Sequence, residues 1–319
     1  MSAGASQDSG AAPDPLRIVY IAGAKNCGST LLDAMLGNAP EARSLGEVGG
    51  FHRYGPDAPC ACGRVSEACS ECRAVICSLD HRGASAEFAE LSRLPLKERS
   101  AHWILIPTRA RRRYAQLADL LFESAAASTG SRVLIDSSKN AARAAALAFD
   151  SRYGVRVVHV VRDGRGYLRS RRRRATVDGK RHVAPLAMVS WLTKNLLIGN
   201  LLAPRLGADR YLICRYEDLL SDPGSTLERL CTFAGLDATG LLESATTGEG
   251  VVRHHLYEPA RRTDYRRVRL DPARLQSQRE SRLHNRVFWT LGGFLSARWG
   301  YDRQQSYLGD RLSSETSSR

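Results

Sequence analysis

The stretch "YIAGAKNCGSTLLDAMLG", Tyr20 to Gly37, has the composition of an anion-binding loop. Gly23 and Gly28 bracket it, Ser29 and Thr30 follow the second glycine, and its one lysine, Lys25, lies inside the loop. Backbone N–H groups of Asn26, Cys27, Gly28, Ser29 and Thr30, at the start of a helix, make a nest for a phosphate whatever molecule carries it. A Walker A loop reads G-x-x-x-x-G-K-[ST], with the lysine reaching the β/γ-phosphates and the hydroxyl binding Mg²⁺. Here Ser29 stands where that lysine belongs, so Lys25 is placed to meet a group leaving or arriving at the terminal phosphate. The bland alternative is a glycine-bearing turn that only joins a strand to a helix.

A second constellation lies in "VVRDGRGYLRS". Arg162 closes an apolar run and Ser170 follows eight residues later, about two helical turns on, so the two can hold a second phosphate. A nucleoside-triphosphate kinase has no need of such a clamp but does need a metal-binding acid at a strand end, for which Asp136 in "DSSKN" is the candidate. Cys27 stands near a helix amino terminus, a position that lowers a thiol's pKa. The cluster "CACGRVSEACSEC" places Cys60, Cys62, Cys69 and Cys72 within thirteen residues, but C-x-C-x6-C-x2-C is not the paired C-x2-C pattern of zinc sites. Reduced structural thiols are the expectation here, with a structural zinc or a disulfide as alternatives.

These residues need a scaffold, and four apolar runs supply one. "LRIVYIAG", "RVLIDSSKN", "VRVVHVV" and "RYLICRYEDLLSDP" each read as a strand leading into a helix. Alternating strands and helices predict an α/β fold with a doubly wound, mostly parallel sheet, helices on both faces and ligands beyond the carboxyl ends of the strands. Helices over 88–99, 101–127 and 187–202 read as core-covering elements. The charged segment 171–185 reads as a mobile flap. Residues 1–15 read as a disordered leader, 16–302 as a single domain with a Cys-rich insertion at about 55–80, and 303–319 as a disordered tail.

The 319 residues carry 47 Lys+Arg against 33 Asp+Glu, a net charge of +14 supplied nearly all by arginine, which suits forked recognition of phosphate or sulfate. Nucleic acid is disfavoured by the absence of a zinc-finger spacing and of an RNP-like strand, and by only 7% aromatic residues. The leader lacks the basic and apolar regions of a signal peptide, and nothing reads as eighteen consecutive apolar residues, so a cytoplasmic protein without membrane insertion is expected.

Together, "AKNCGSTLL", "VVRDGRGYLRS" and "RYEDLLSDP" resemble, in order, three motifs of the sulfotransferases that depend on 3′-phosphoadenosine-5′-phosphosulfate (PAPS). The resemblance runs from about Leu16 to Tyr301 and implies that the loop holds the 5′-phosphosulfate, with no metal required. It implies that Lys25 neutralises the leaving phosphate, that Arg162 and Ser170 bind the 3′-phosphate, and that Tyr216 packs near the adenine. Glu47 in "LGEVGGF" reads by itself as a helix-capping or surface acid. The resemblance makes it the base that takes the acceptor proton, with His52 a distant second. Ser137 and Lys139 are placed to touch the sulfuryl group. "EPARR" partly matches a C-terminal G-N-P-x-R loop, which implies Arg261 at the 3′-phosphate, with Arg262 as a neighbour that could serve; His254 and His255 beside it could face the acceptor or be inert loop histidines. Related bacterial enzymes often show a C-x-C-G and a later cysteine where this chain has its cluster, which implies an acceptor-side insertion. The expected acceptor is a small molecule with a free hydroxyl, a carbohydrate or secondary metabolite. The other readings are an ATP-dependent small-molecule kinase using Asp136, and a polyanion-binding protein using the arginine runs at 109–113 and 171–174.

Overall fold

A computed structural model describes residues 15–53, 60, 62–94, 101–179, 181–246, 251–252, 267–272, 275 and 282–301. Five strands, β1 (Arg17–Gly23), β2 (Ala42–Gly46), β3 (Val133–Lys139), β4 (Gly154–Val161) and β5 (Tyr211–Arg215), form one sheet. Their order is β2-β3-β1-β4-β5, and every neighbouring pair is parallel. This is the expected doubly wound α/β architecture.

Period-two alternation sorts the strand side chains onto two faces. Ile18, Tyr20, Leu134, Val155 and Val157 point into one core. Val19, Ile21, Val133, Ile135, Val158 and Val160 point into the other. On the first face lie α1 (Ser70–His81), α2 (Ser85–Leu91), α3 (Arg109–Thr129) and α4 (Ala141–Asp150). The second face is covered by the helix that follows β1, Ser29–Leu36, and by Pro223–Ala234. Capping fixes where several helices begin. Thr108, Asn140 and Asp163 accept from the amides of Arg111, Arg143 and Arg165, at 3.0, 2.9 and 2.8 Å.

Three features depart from the sequence reading. The edge strand β2 was not expected, because "ARSLG" has neither an apolar run nor alternation. It is pinned instead by a buried hydrogen bond from Ser44 Oγ to Asp33 Oδ2 (2.6 Å) and by Gly37, where a Cβ would lie 2.5 Å from Ser44 Cβ. The supposed flap is largely helical. The helix after β4, Gly164–Val177, absorbs all four arginines of 171–174, since arginine is a good helix former with its head in water. The helical stretch Ala184–Leu206 is the one described helix long and apolar enough to cross a membrane. Its inner side is committed to the fold: Met188, Trp191, Asn195, Ile198 and Leu202 are buried. Asn195 Oδ1 lies 3.0 Å from Nε2 of His159 on β4.

Candidate active site

The loop after β1 is shaped by close approaches that only glycine permits. Gly28 has φ +104°, and a Cβ there would lie 2.2 Å from Cδ2 of Tyr216. At Gly23 the corresponding atom would lie 2.6 Å from the carbonyl oxygen of Val160. Between them Asn26 adopts φ +64°, a left-handed conformation that asparagine tolerates. The loop is thus held between the end of β4 and the Tyr216 ring, and it delivers the chain into a helix whose first amides have no intrahelical partner. Ser29 is buried, Thr30 half-buried, and Lys25 projects exposed from the turn.

Arg162, the first residue past β4, ties this loop to the next strand. Its Nη1 donates to the Asn26 carbonyl (3.0 Å), and its guanidinium carbon sits 4.3 Å from the centre of the Tyr216 ring. Nε is buried with no hydrogen-bond partner among the described residues. A fork that is half satisfied and set over an aromatic ring is a ready acceptor for a further anion. A Cβ on Gly166 would lie 3.2 Å from Arg162 Nε, so that face of the helix looks at Arg162. Ser170, one turn further and half-buried, shares the face.

Sequence reasoning missed the residues that hold Arg162 in place. The Arg162 carbonyl accepts from Trp191 Nε1 (3.2 Å). Asp163, fully buried, caps the helix and binds Arg165 through both carboxylate oxygens. Its amide donates to Glu217 Oε1 (3.1 Å), and Tyr301 donates to Glu217 Oε2 (2.7 Å). Burial, and after it the Asp163 charge, push the Glu217 carboxyl up. The only signal for this support was the acid beside each motif residue, in "RDG" and "RYED".

On the other side of β1, the register of β2 against β3 slips between Ser44 and Gly46, just before Glu47. Such a bulge re-aims the following side chain. Lys139 at the end of β3, with φ +67°, bonds through Nζ to Glu47 Oε1 (2.6 Å) and to the Ser137 carbonyl (3.0 Å). The Glu47 side chain keeps 31% of its surface exposed and that of Lys139 only 10%. Ser137 is buried. Its neighbour Ser138 does the bonding, accepting from the Gly49 amide (2.8 Å) and donating to Asp136 Oδ1 (2.5 Å).

Asp136 is committed inward. It is fully buried, and its second oxygen pairs with Arg143, which also donates to the Tyr114 hydroxyl. That engagement speaks against its service as a kinase's metal ligand. The arginine runs are likewise partly consumed: Arg111 binds Asp150 and the Trp103 carbonyl, Arg113 binds Glu87, and Arg174 pairs with Asp178. The expectation for Cys27 is reversed. Although Lys139 and Ser29 pull the other way, complete burial dominates and raises its thiol pKa. The His52 side chain and residues His254, His255, Arg261 and Arg262 lie outside the described residues.

The fold gathers the candidate loop, Arg162 and the Glu47–Lys139 pair across the ends of β1, β3 and β4. Residues 19–240 match the model of the Sulfotransferase family, and the chain belongs to that family. Among solved structures, the sulfotransferase domain from the Synechococcus PCC 7002 olefin synthase is 23% identical, with a TM-score of 0.53 over 91% of this chain and 98% of that one. The sulfotransferase domain from the curacin biosynthetic pathway is 17% identical, with a TM-score of 0.51 over 90% and 98%. At these identities the likeness is one of fold. Comparison with curated proteins gave no match.

Proposed function

We propose that this sulfotransferase takes its sulfuryl group from PAPS and passes it to a hydroxyl of a small-molecule acceptor, in the cytoplasm. The observation that carries the reading is the bond from Arg162 to the Asn26 carbonyl, which sets a second cationic fork against the phosphate loop. The loop fits an anion: its two tight glycines bring backbone up to the site, and the buried Arg162 Nε lacks a partner among the described residues. Residues 26–30 would hold the 5′-phosphosulfate, Arg162, Ser170 and Arg261 the 3′-phosphate, and Tyr216 would lie near the adenine.

When bound, the donor supplies an activated sulfuryl group and leaves as 3′,5′-ADP. Lys25, exposed at the turn, neutralises charge on the departing phosphate oxygen, a role that a fixed cation fills without a metal. Glu47 takes the proton of the acceptor hydroxyl as the new S–O bond forms. Lys139 aims the Glu47 carboxylate through their 2.6 Å bond and would add a positive charge on the sulfuryl side. Ser137, His52 and His254 are candidates for the acceptor side. A metabolite acceptor fits the company of the two structural relatives, a domain of an olefin synthase and one of the curacin pathway.

The test is calorimetric titration of the full chain with 3′,5′-ADP and, separately, with ATP plus Mg²⁺. Metal-independent binding of 3′,5′-ADP with little affinity for ATP supports the proposal. The reverse preference sinks it.

A further inference from the structure

The insertion ahead of α1 carries four thiols that sulfuryl transfer does not use. The sulfurs of Cys60, Cys69 and Cys72 all lie within 4.8 Å of one another. Cys62 Sγ is within hydrogen-bond reach of the sulfurs of Cys60 and Cys69. Three sulfurs therefore converge, one from a tight turn and two from a helix start, with the Cys62 sulfur beside two of them. Cys60, Cys69 and Cys72 are at most 1% exposed, and Cys62 is half-buried.

The backbone around the cluster is built for ligation rather than for mere packing. Around Cys60 the backbone turns tightly: the Cys60 amide donates to the Arg64 carbonyl (2.8 Å) and the Gly63 amide to the Cys60 carbonyl (3.0 Å). Gly63, at φ +87°, lets the chain double back. Cys69 is the N-cap of α1 and Cys72 lies in its first turn. The amides of Cys62, Arg64 and Cys72 face the sulfurs of Cys60, Cys62 and Cys69. Apolar packing of thiols would not need three amides aimed at sulfur, whereas metal-bound thiolates accept such bonds. No two of the sulfurs are joined, since all eight cysteines are free.

We propose that Cys60, Cys62, Cys69 and Cys72 bind one zinc ion in a tetrahedral all-sulfur site. Zn–S bonds of about 2.3 Å set sulfur–sulfur edges of about 3.8 Å, so the sulfurs of Cys60, Cys69 and Cys72 need close by no more than about 1 Å, and Cys62 swings in from the turn as the fourth ligand. Each thiol gives up its proton to solvent as its sulfur coordinates. All-thiolate tetrahedral sites suit zinc, or iron as the competing metal. The ion would staple the turn at Cys60 to α1, which is itself fastened to the body. Glu71, between the two helical ligands, pairs with Arg43 of β2, and Ser124 of α3 bonds to Ser78 (2.7 Å). Since β2 leads directly into Glu47, the staple would brace the wall on the acceptor side of the site.

The experiment is metal analysis of the full chain purified without chelator, followed by cobalt titration of the chain stripped of metal. The expected result is one zinc per chain and, with cobalt, intense visible bands of tetrahedral coordination with a near-ultraviolet thiolate charge-transfer band. Cys77→Ser, at the exposed cysteine of α1, should keep both signals, while Cys62→Ser should lose most of the charge-transfer intensity. Should Cys62→Ser fail to fold, the wild-type titration decides alone. A metal-free protein whose eight thiols all react with Ellman's reagent on denaturation would overturn the proposal. A mass lowered by a disulfide, or iron in place of zinc, would overturn it equally.

Discussion

Replacing Arg162 with alanine or lysine tests the link between loop and strand most directly. In the free protein alanine removes one charged hydrogen bond to the Asn26 carbonyl and the contact with the Tyr216 ring. Those are worth about 1.5–3 kcal/mol and about 0.5–2 kcal/mol in comparable settings, and solvent at the half-buried site brings the sum to about 2 kcal/mol. The protein should therefore stay folded with a melting temperature lowered by a few degrees. Toward 3′,5′-ADP the loss is larger, because a fork is removed from a phosphate. One to two charge-assisted bonds, about 1.5–3 kcal/mol, correspond to a dissociation constant raised about tenfold to 150-fold. Lysine keeps the charge but has no planar group to set over Tyr216 and no parallel donors, so Arg162→Lys should recover less than half of that free energy. The assay is calorimetry with 3′,5′-ADP, and with adenosine 5′-phosphosulfate, which lacks the 3′-phosphate and should be indifferent to either substitution. A folded Arg162→Ala protein that bound 3′,5′-ADP within about threefold of wild type would refute the assignment and remove the observation on which the proposed donor rests.

Other substitutions address the remaining parts. Glu47→Gln should lower the single-turnover transfer rate by about 10²- to 10⁴-fold while leaving 3′,5′-ADP affinity within about twofold; an unchanged rate would move the base elsewhere. Gly28→Ala forces a side chain into the Tyr216 ring at φ +104°, and calorimetry should show donor affinity down by at least about tenfold. Asp136→Ala strands the buried Arg143 without its counter-charge and should cost about 3–5 kcal/mol in urea unfolding, against little change if the pair were dispensable. His159, buried neutral between Tyr211 and Asn195, has its pKa lowered to about 4, chiefly by burial. Between that value and an ordinary histidine's about 6.5 the unfolded chain binds the extra proton, so stability falls as pH falls through this window, by up to about 3 kcal/mol. His159→Gln should flatten that part of the urea-midpoint profile against pH, and an unaltered slope would assign the acid sensitivity to other groups.

The parallel sheet was readable because four of its strands are apolar runs that end in loop chemistry, a pattern with few other physical solutions. The fifth, β2, was not, since its place depends on Asp33 and Gly37 of another element rather than on its own composition. The same contrast holds in the site. Lys25, Glu47, Arg162 and Tyr216 stand in short local motifs. What aims them is long-range: the Lys139 ammonium on Glu47, the Trp191 indole on the Arg162 carbonyl, and Glu217 bridging Asp163 to Tyr301. A run of charge is not irregularity: the arginines between Gly164 and Val177 form a helix because one face can stay wet. At Cys27 burial, which a sequence does not display, outweighs the helix terminus.

The distribution of acids around the sheet's carboxyl end bears on how charge is handled during transfer. Three carboxylates lie there fully or almost fully buried, and each is committed to a local partner: Asp136 to Arg143 and Ser138, Asp163 to Arg165, and Glu217 to Tyr301 and the Asp163 amide. Glu47, facing Lys139, is the acid of this group with its carboxylate partly open. A divalent ion needs several oxygen ligands, and a magnesium site is usually built on one or two carboxylates plus phosphate and water. With its other acids spent on arginines and hydroxyls, this donor set suits fixed cations, Lys25, Lys139 and Arg162, better than a metal. Transfer rates should accordingly be the same, within about twofold, in excess Mg²⁺ and in a chelator too weak to strip a thiolate-bound zinc. A rate that collapses in the chelator and returns with Mg²⁺ would show that Glu47 is a metal ligand, and the assignment of the proton to it would fall.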